Sequence, residues 1–331
     1  MIIANIGTLL TLETEPLHNA FLEVDQGVVI RFGSMASAPR ADVDAERRVV
    51  MPGFVDCHTH LANMGQMHGS FEDRCRAVAA AQPEELRASI ERQIAMMLAF
   101  GTTTVEIKTC YGSPEKCLDA MPHDVIRTEM APPDWTLWRQ PHFVDALAEG
   151  MTAERLLATK TPVKVHVLDR GLEMALEAGA VSVEHLLHAT KRDVATLAQT
   201  STLAVLLPAM AYYTRAGRFA PARQLIDAGV KVALGTDSNP GDSPSFSMQM
   251  VMHLACREMG MTCEEAIRAA TLHAAAALRL DHRLGSLAPG KDANFLILET
   301  GDYRDLPAVI GSNLVRKVYR RTYAAGELSP A

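Results

Sequence analysis

The residues best suited to chemistry in this 331-residue sequence include two histidines in the segment FVDCHTHL. His58 and His60 are two positions apart on an apolar segment with strand character, so their side chains project to the same side of the strand. That spacing suits two ligands of one metal ion, although an isolated pair of this kind also occurs on half-buried sheet faces. Further ligands are needed to decide between the two interpretations.

Three more metal-competent side chains stand at the ends of predicted strands. His166 lies near the end of the apolar segment PVKVHV, His185 lies near the end of AVSVEHL, and Asp237 is the last residue of VKVALGTD. In a barrel of parallel strands, active-site residues gather at the carboxyl ends of the strands. A single histidine at such a place is commonly packed or hydrogen-bonded, and a single Asp can simply cap a helix. The joint occurrence of all five groups predicts a metal site.

The pattern around these residues predicts an α/β fold, a TIM-like (β/α)8 barrel. From residue 54 to about residue 280, short β-branched segments alternate with longer segments rich in Ala, Leu, Glu and Arg, as in successive βα units. Helices are predicted at 84–100, 191–199 and 263–279, where apolar residues recur at helical spacing. The eight candidate strands are 54–60, 102–108, 124–130, 143–147, 163–168, 180–186, 202–207 and 231–236.

Both ends of the chain carry short strand-like segments separated by turns that contain Gly or Pro. The N-terminal segments are MIIANIGTLLTLE, AFLEVDQGVVIRFG and RRVVMPG, and the C-terminal ones are GSLAPGKDANFLILE and LVRKVYRRTYAAGEL. We expect residues 1–50 and 285–331 to build one small β-sandwich domain together. Residues 51–284 would then form the barrel.

Composition excludes several classes of function. Hydrophobic residues make up 48% of the chain and charged residues 21%, which is typical of a globular protein with a sizeable core. The 32 basic and 39 acidic residues give a net charge of −7 without runs of like charge, which argues against binding to nucleic acid or to an anionic membrane. The longest apolar segments, such as 202–211, fall well short of the roughly 20 residues that cross a bilayer. We therefore expect a small-molecule substrate.

Cysteine usage and the first residues of the chain point to the cytoplasm. The six cysteines form no CxxC pair, which favours free thiols over a disulfide framework or a structural zinc cluster. The N-terminal segment MIIANIGTLLTLETE lacks the basic start and the small-residue cleavage site of a secretion signal.

Taken in order along the chain, these motifs resemble the metal-dependent amidohydrolase superfamily, and within it the imidazolonepropionases, which open a ring in histidine breakdown. The likeness to imidazolonepropionases rests mainly on VEIKTCYG, LLPAM and TDSNPG. The matching segments are MPGFVDCHTHL, GTTTVEIKTCYG, KVHV, AVSVEHL, LAVLLPAMAYY, TDSNPGDSPSFSMQMVMHLAC and GSLAPGKDANFLIL.

The resemblance implies one divalent metal ion per chain, with His58, His60, His166 and Asp237 as its ligands. Zn²⁺ suits this set of imidazoles and a carboxylate, and Fe²⁺ or Mn²⁺ can also occupy it. A bound Zn²⁺ lowers the pKa of water to about 7, which supplies a nucleophile. Asp237 would accept the proton of that water and return it to the leaving nitrogen, and His185 would polarise the substrate or the water.

Several positions depart from the imidazolonepropionase pattern. Segment 61–83 is too short for the glycine-rich substrate loop of those enzymes. Met67 stands where they carry an Arg, and Asp242 where a Ser or Thr follows their NPG; both positions are associated with the propionate side of the substrate. Losing a cation and gaining an anion disfavours a bound carboxylate, unless another cation such as Arg215 compensates. We therefore expect imidazolonepropionate itself to be a poor substrate.

Five further positions bear on the pocket and on the number of metal ions. Glu129 occupies the place of a family His, and Asp169 that of a Glu three residues after the strand-five ligand. Tyr111 and Asn239 match pocket positions of the family. Lys108 lies in the early VEIKTCYG segment rather than on the fourth strand, which argues against a carbamylated lysine that bridges two metal ions.

Three functions remain open from the sequence. The first is hydrolysis of a carbon–nitrogen bond in a small cyclic amide or amidine, and the second is a biosynthetic cyclase that closes such a ring with loss of water. The third is a non-catalytic metal-binding scaffold, which His185 and Asp237 argue against because a closed structural site would not need them beside three histidines. Many relatives are dimers, so we expect a homodimer by analogy.

Overall fold

The computed structural model describes residues 1–131, 141–148, 151–321 and 328–330. Residues 322–327 of the last predicted strand segment lie outside this described part. The described chain contains a mixed sheet of eight strands and a second sheet of eight parallel strands. None of the helices described is long and apolar enough to cross a membrane.

The strands occur in the order that the sequence predicts. The first five are β1 (Ile2–Leu9), β2 (Leu17–Asp25), β3 (Val28–Ser34), β4 (Val43–Asp44) and β5 (Val49–Pro52). The next eight are β6 (Phe54–Asp56), β7 (Thr102–Thr109), β8 (Ile126–Ala131), β9 (Phe143–Leu147), β10 (Val163–Val167), β11 (Ser182–His185), β12 (Leu203–Leu206) and β13 (Val232–Leu234). The last three are β14 (Phe295–Leu298), β15 (Val315–Arg321) and β16 (Leu328–Pro330).

The parallel sheet is the predicted barrel. Strands β6 to β13 pair with their sequence neighbours in order, and every pair is parallel. The helices between them cover its outer face. The described helices are α1 (Phe71–Ala80), α2 (Pro83–Ala99), α3 (Pro114–Ala120), α4 (Ala153–Leu157), α5 (Leu172–Glu177), α6 (Lys191–Leu197), α7 (Pro208–Tyr213), α8 (Ala222–Asp227), α9 (Met248–Glu258), α10 (Cys263–Ala269), α11 (Leu272–Ala277) and α12 (Asp305–Ala308).

The single helix predicted over 263–279 is wrong, because the chain forms α10 and α11 with a break between them. Thr271 leaves helical geometry with φ −134° and ψ −88°. Its hydroxyl donates a hydrogen bond of 2.6 Å to the carbonyl oxygen of Ile267. Such bonding back to the preceding turn bends helices, and apolar periodicity alone does not reveal it.

The mixed sheet joins the two ends of the chain. Its strands follow the order β16, β15, β14, β5, β1, β2 and β3, with β4 paired to β1. The C-terminal strand β14 pairs antiparallel with β5, so the two termini share one hydrogen-bonded sheet. Phe295 is completely buried and stacks on Tyr319 with ring centroids 4.5 Å apart. The predicted fold class, a barrel beside a β layer from both termini, is confirmed.

The barrel closes where the predicted metal ligands lie. Strands β6 and β13 meet through one isolated bridge, between Thr59 and Ser238. The backbone N–H of Asp237 donates to the carbonyl oxygen of His58 at 3.0 Å, and that of His60 donates to Ser238 at 2.9 Å. The segments that carry the histidine pair and Asp237 therefore complete the barrel as well as the site.

Candidate active site

The five metal-competent residues converge at the carboxyl ends of the barrel strands. His58 and His60 follow β6, His166 lies on β10, His185 ends β11 and Asp237 follows β13, and all five are buried. The ligand atoms of His58, His60 and His166 lie within 4.8 Å of one another, and so do those of His58, His185 and Asp237. The two groups share His58, so they form one cluster.

The Asp237 carboxylate lies at the centre of this cluster. Its Oδ1 is 3.4 Å from Nε2 of His58 and 3.1 Å from Nε2 of His60. Asp237 and His185 both have left-handed backbone, with φ of +55° and +69°. Non-glycine residues adopt this region rarely and at a cost of about 1–3 kcal/mol, which is a common feature of functional sites.

Two buried carboxylates orient the histidine rings. Glu184 contacts Nδ1 of His58, and Oδ1 of Asp145 lies 3.1 Å from Nδ1 of His166. A ring nitrogen that faces a carboxylate leaves the opposite nitrogen available to a metal ion, a pattern found around metal-bound histidines. His58 Nε2 is buried and has no hydrogen-bond partner among the described residues, as expected of a metal ligand. The donor set therefore fits a divalent metal ion.

The sequence interpretation missed Glu184 and Asp145. Glu184 directly precedes His185, and strand alternation would direct adjacent side chains to opposite faces. The left-handed backbone at His185 breaks this alternation. The available signal was the single charged residue in the middle of an otherwise apolar strand, as for Asp145 in FVDAL.

Two lysines and a third carboxylate, that of Glu106, lie beside these carboxylates in the barrel interior, and all five charged side chains are completely buried. Lys108 Nζ contacts Asp145 and lies 3.2 Å from both Glu106 and Glu184. Lys164 Nζ lies 2.7 Å from Glu106 and 2.9 Å from Glu184. Burial alone would lower the pKa of Lys108, but the surrounding carboxylates, Asp145 foremost, raise it well above its usual value. The Lys108 ammonium is therefore the cationic partner of these carboxylates.

Two members of the cluster, His185 and Asp237, differ in charge at neutral pH. Burial, reinforced by the neighbouring His166, lowers the pKa of His185 to about 3. Burial would raise the pKa of Asp237, but the neighbouring His58 and His60 imidazoles hold it well below its usual value. At neutral pH the site thus contains a neutral imidazole and an ionised carboxylate.

Tyr111 and Asn239 lie at the edge of the cluster, and both are buried. The Tyr111 ring lies 5.4 Å from that of Phe71, and burial raises the pKa of its phenol, which stays protonated. The Asn239 amide donates to the carbonyl oxygen of Asp237 at 2.7 Å and accepts from the backbone N–H of Asp242 at 2.7 Å. Asn239 therefore shapes the turn that follows the carboxylate ligand.

A cavity of about 540 Å³ adjoins this turn. Asn239 lines it, and Met67 is 46% exposed beside it. Arg92, which is exposed, lies at its rim. The cavity has the size of a small-molecule pocket and a largely apolar wall. The apolar and proline side chains that line it are Met64, Met67, Ala95, Met96, Pro240, Pro244 and Phe246.

Arg74 is a further residue that sequence reasoning missed. It lies on α1, half-buried, and donates to the backbone carbonyl oxygens of Gln66 at 3.2 Å and of Pro240 at 3.4 Å. The sequence interpretation placed Met67 where relatives carry an Arg and named Arg215 as a cation that could compensate for this loss. Arg215 is exposed after α7.

Glu129 and Asp169 are two further positions that the sequence assigns to the pocket. Glu129 is completely buried on β8, opposite Thr109 on the neighbouring strand. Asp169 is exposed, and its Oδ1 lies 3.3 Å from Nε2 of His188. Neither belongs to a metal-competent group among the residues described.

The chain is similar to known proteins in sequence and in fold. The pattern of the amidohydrolase family matches residues 49–130 and 138–327. The chain belongs to the amidohydrolase family. An imidazolonepropionase of Chloroflexus aggregans is 34% identical over 85% of this chain and 83% of its own length. An imidazolonepropionase of Porphyromonas gingivalis is 33% identical, with coverage of 95% and 94%.

The fold of this amidohydrolase matches solved structures over nearly its whole length. A zinc-bound adenosine deaminase of Xanthomonas campestris superposes with a TM-score of 0.77 and 19% sequence identity, covering 99% of this chain and 92% of the deaminase. At that identity the likeness concerns the fold alone. The predicted resemblance to the metal-dependent amidohydrolases is confirmed, and a cluster of buried histidines and Asp237 lies where such an enzyme needs its metal ligands.

Proposed function

We propose that this amidohydrolase binds one divalent metal ion, with Zn²⁺ as the first candidate, and hydrolyses a carbon–nitrogen bond of a small cyclic amide or amidine. His58, His60, His166 and Asp237 would hold the ion. The observation that carries the proposal is the convergence of these buried ligand atoms around the Asp237 carboxylate. Three imidazoles and one carboxylate are a donor set that suits Zn²⁺, Fe²⁺ or Mn²⁺.

The side chains of the site have two roles, proton transfer and orientation of the substrate. A divalent ion in the site supplies Lewis acidity and lowers the pKa of water towards 7. Asp237, whose carboxylate is ionised, accepts the proton of the attacking water and later delivers it to the leaving ring nitrogen. His185, held neutral, hydrogen-bonds the polarised oxygen or nitrogen of the substrate.

Two residues beside the cavity, Met67 and Asp242, favour a substrate that is neutral or cationic at its far end, and the cation Arg92 in the cavity lining opposes this preference. Met67 offers no charge, and Asp242 adds an exposed carboxylate on the neighbouring turn. The Arg74 guanidinium is engaged with two backbone carbonyl oxygens. Imidazolonepropionate, the substrate named for the relatives, would therefore bind poorly, because its carboxylate gains too little in this pocket to offset its desolvation.

The test is a substrate panel on the metal-loaded protein. The panel contains imidazolonepropionate, neutral lactams, cyclic ureides and amine-bearing cyclic amidines, with ring opening followed by mass spectrometry. We expect turnover of neutral or amine-bearing rings, and no turnover by the metal-loaded Asp237→Asn variant. The same panel with ring-opened compounds tests the cyclase alternative, since an enzyme catalyses both directions.

Two outcomes would contradict different parts of the proposal. A chain that carries one metal ion and turns over no ring compound in either direction would refute the hydrolase assignment. Efficient turnover of imidazolonepropionate by the unmodified chain would keep that assignment and refute the altered specificity.

A further inference from the structure

The barrel interior holds a second set of metal-competent groups, formed by Asp145, His166 and Glu184. Their ligand atoms lie within 4.8 Å of one another, and all three residues are buried. The Lys108 ammonium stands among them, 3.2 Å from Glu184 Oε2 and in contact with Asp145 Oδ2. Glu106 Oε2, also 3.2 Å away, completes a cage of three carboxylates around this ammonium.

The cage resembles a cation site in its chemistry. The carboxylates come from three different strands, β7, β9 and β11, and oxygen donors from several elements are what hard divalent cations such as Mn²⁺ and Ca²⁺ prefer. Lys164 adds a second ammonium against Glu106 and Glu184. Three negative and two positive groups leave a net charge of −1, and buried carboxylates without such compensation are strongly disfavoured.

We infer that Lys108 is the resident cation of this cage. Its ammonium takes the place that a second divalent ion would otherwise occupy, and it thereby keeps the barrel to the single metal ion of the proposed function, on which this inference rests. The same contacts hold Asp145 against His166 and Glu184 against His58. Lys108 is therefore also a positioning residue, which acts on the metal ligands through these two carboxylates.

The direct test is a metal count on the Lys108→Ala variant. This change removes one positive charge and makes room, so the net charge of the cage becomes −2, which one divalent ion neutralises. After loading with Zn²⁺ and equilibration with excess Mn²⁺, elemental analysis and electron paramagnetic resonance count the bound ions. We expect about one additional ion per chain in Lys108→Ala and none in the unmodified protein. Lys108→Met, which removes the charge but fills the space, is the matched control and should bind no additional ion.

A second variant tests the positioning role without a change in net charge. Lys108→Met combined with Asp145→Asn removes one positive and one negative group, so the chain should still fold. Because His166 loses its ionised partner, the affinity for Zn²⁺, measured by competition with a chelator, should fall by about 10- to 100-fold. Lys191→Met, at an exposed lysine, is the control and should keep the affinity of the unmodified protein.

Each outcome decides the inference. A folded Lys108→Ala that binds no additional ion, or an additional ion in the unmodified chain, would overturn the cation role. If Lys108→Ala folds neither with nor without Mn²⁺, the test passes to the double variant, Lys108→Met with Asp145→Asn. An affinity for Zn²⁺ in this double variant that equals that of the unmodified protein would overturn the inference. An unmodified chain that binds no Zn²⁺ would instead contradict the proposed function, and absence of ring turnover would leave the ion counts unaffected.

Discussion

Replacement of Lys164 with Met should lower the thermal stability of the protein measurably. The Lys164 ammonium is completely buried and donates to Glu106 at 2.7 Å and to the backbone carbonyl oxygen of Cys57 at 2.7 Å, with Glu184 2.9 Å away. Methionine keeps the length of the side chain but leaves two buried carboxylates without this partner. Removing one member of a buried ion pair costs about 3–5 kcal/mol. With an unfolding entropy near ~2.1 cal/mol/K per residue, 331 residues give ~0.7 kcal/mol/K, so the melting temperature should fall by ~4–7 °C.

Differential scanning calorimetry of the metal-loaded protein measures this shift. Lys191→Met is the matched control, because Lys191 is exposed and an exposed substitution changes stability by no more than about 0.5 kcal/mol. Lys164→Met combined with Glu106→Gln should recover part of the loss, since it removes one of the unbalanced charges. A melting temperature for Lys164→Met within the range of the control would refute the idea that the buried ion network carries this much stability.

Three further predictions concern the site. Asp237→Asn should retain the fold and lower turnover by about 10²- to 10⁴-fold in protein of verified metal content, because it removes the proton shuttle; near-normal turnover would assign the base elsewhere. Met67→Arg with Asp242→Ser should raise kcat/KM for anionic relative to neutral substrates by roughly tenfold or more, since a hydrogen bond to a charged group contributes about 1.5–3 kcal/mol. An unchanged ratio of the two kcat/KM values would contradict the specificity argument. Removal of the metal ion by a chelator should lower the melting temperature, and added Zn²⁺ should restore it in proportion to the logarithm of free metal; equal melting temperatures would contradict the metal site.

The sequence predicts the barrel well because its signal is local and repeated. Short β-branched segments alternate with helical ones along much of the barrel sequence, and all eight strands appear in the predicted places. The carboxyl ends of the strands then identify His166 and Asp237 without knowledge of which strands are neighbours, since all parallel strands end at the same face. The helix break at Thr271 could not be predicted in this way, because a side-chain hydrogen bond to the preceding turn leaves the apolar periodicity of the sequence intact.

Contacts that depend on barrel closure could not be predicted in the same way. Glu106 and Glu184 are 78 positions apart in the sequence, yet both contact Lys164 in the barrel interior. A charged residue in an apolar strand indicates that a partner must exist, because an unpaired buried charge is costly, but it does not identify the partner. Arg74 illustrates the same limit, since its contact with Pro240 joins helix α1 to a loop at the opposite end of the barrel sequence.

The first and last strands of the barrel, β6 and β13, connect the chemistry of the site to the closure of the barrel. Strands β6 and β13 are three residues long, so their direct pairing is limited to the bridge beyond their ends. The Asp56 carboxylate reinforces that seam, because it accepts hydrogen bonds from the hydroxyl of Thr236 at 2.6 Å and from its backbone N–H at 3.1 Å. A metal ion held by His58 and Asp237 would join the same two chain segments just above this contact. Metal binding and barrel closure should therefore stabilise each other, because the ion acts as a cross-link at the place where the strands themselves supply the fewest hydrogen bonds.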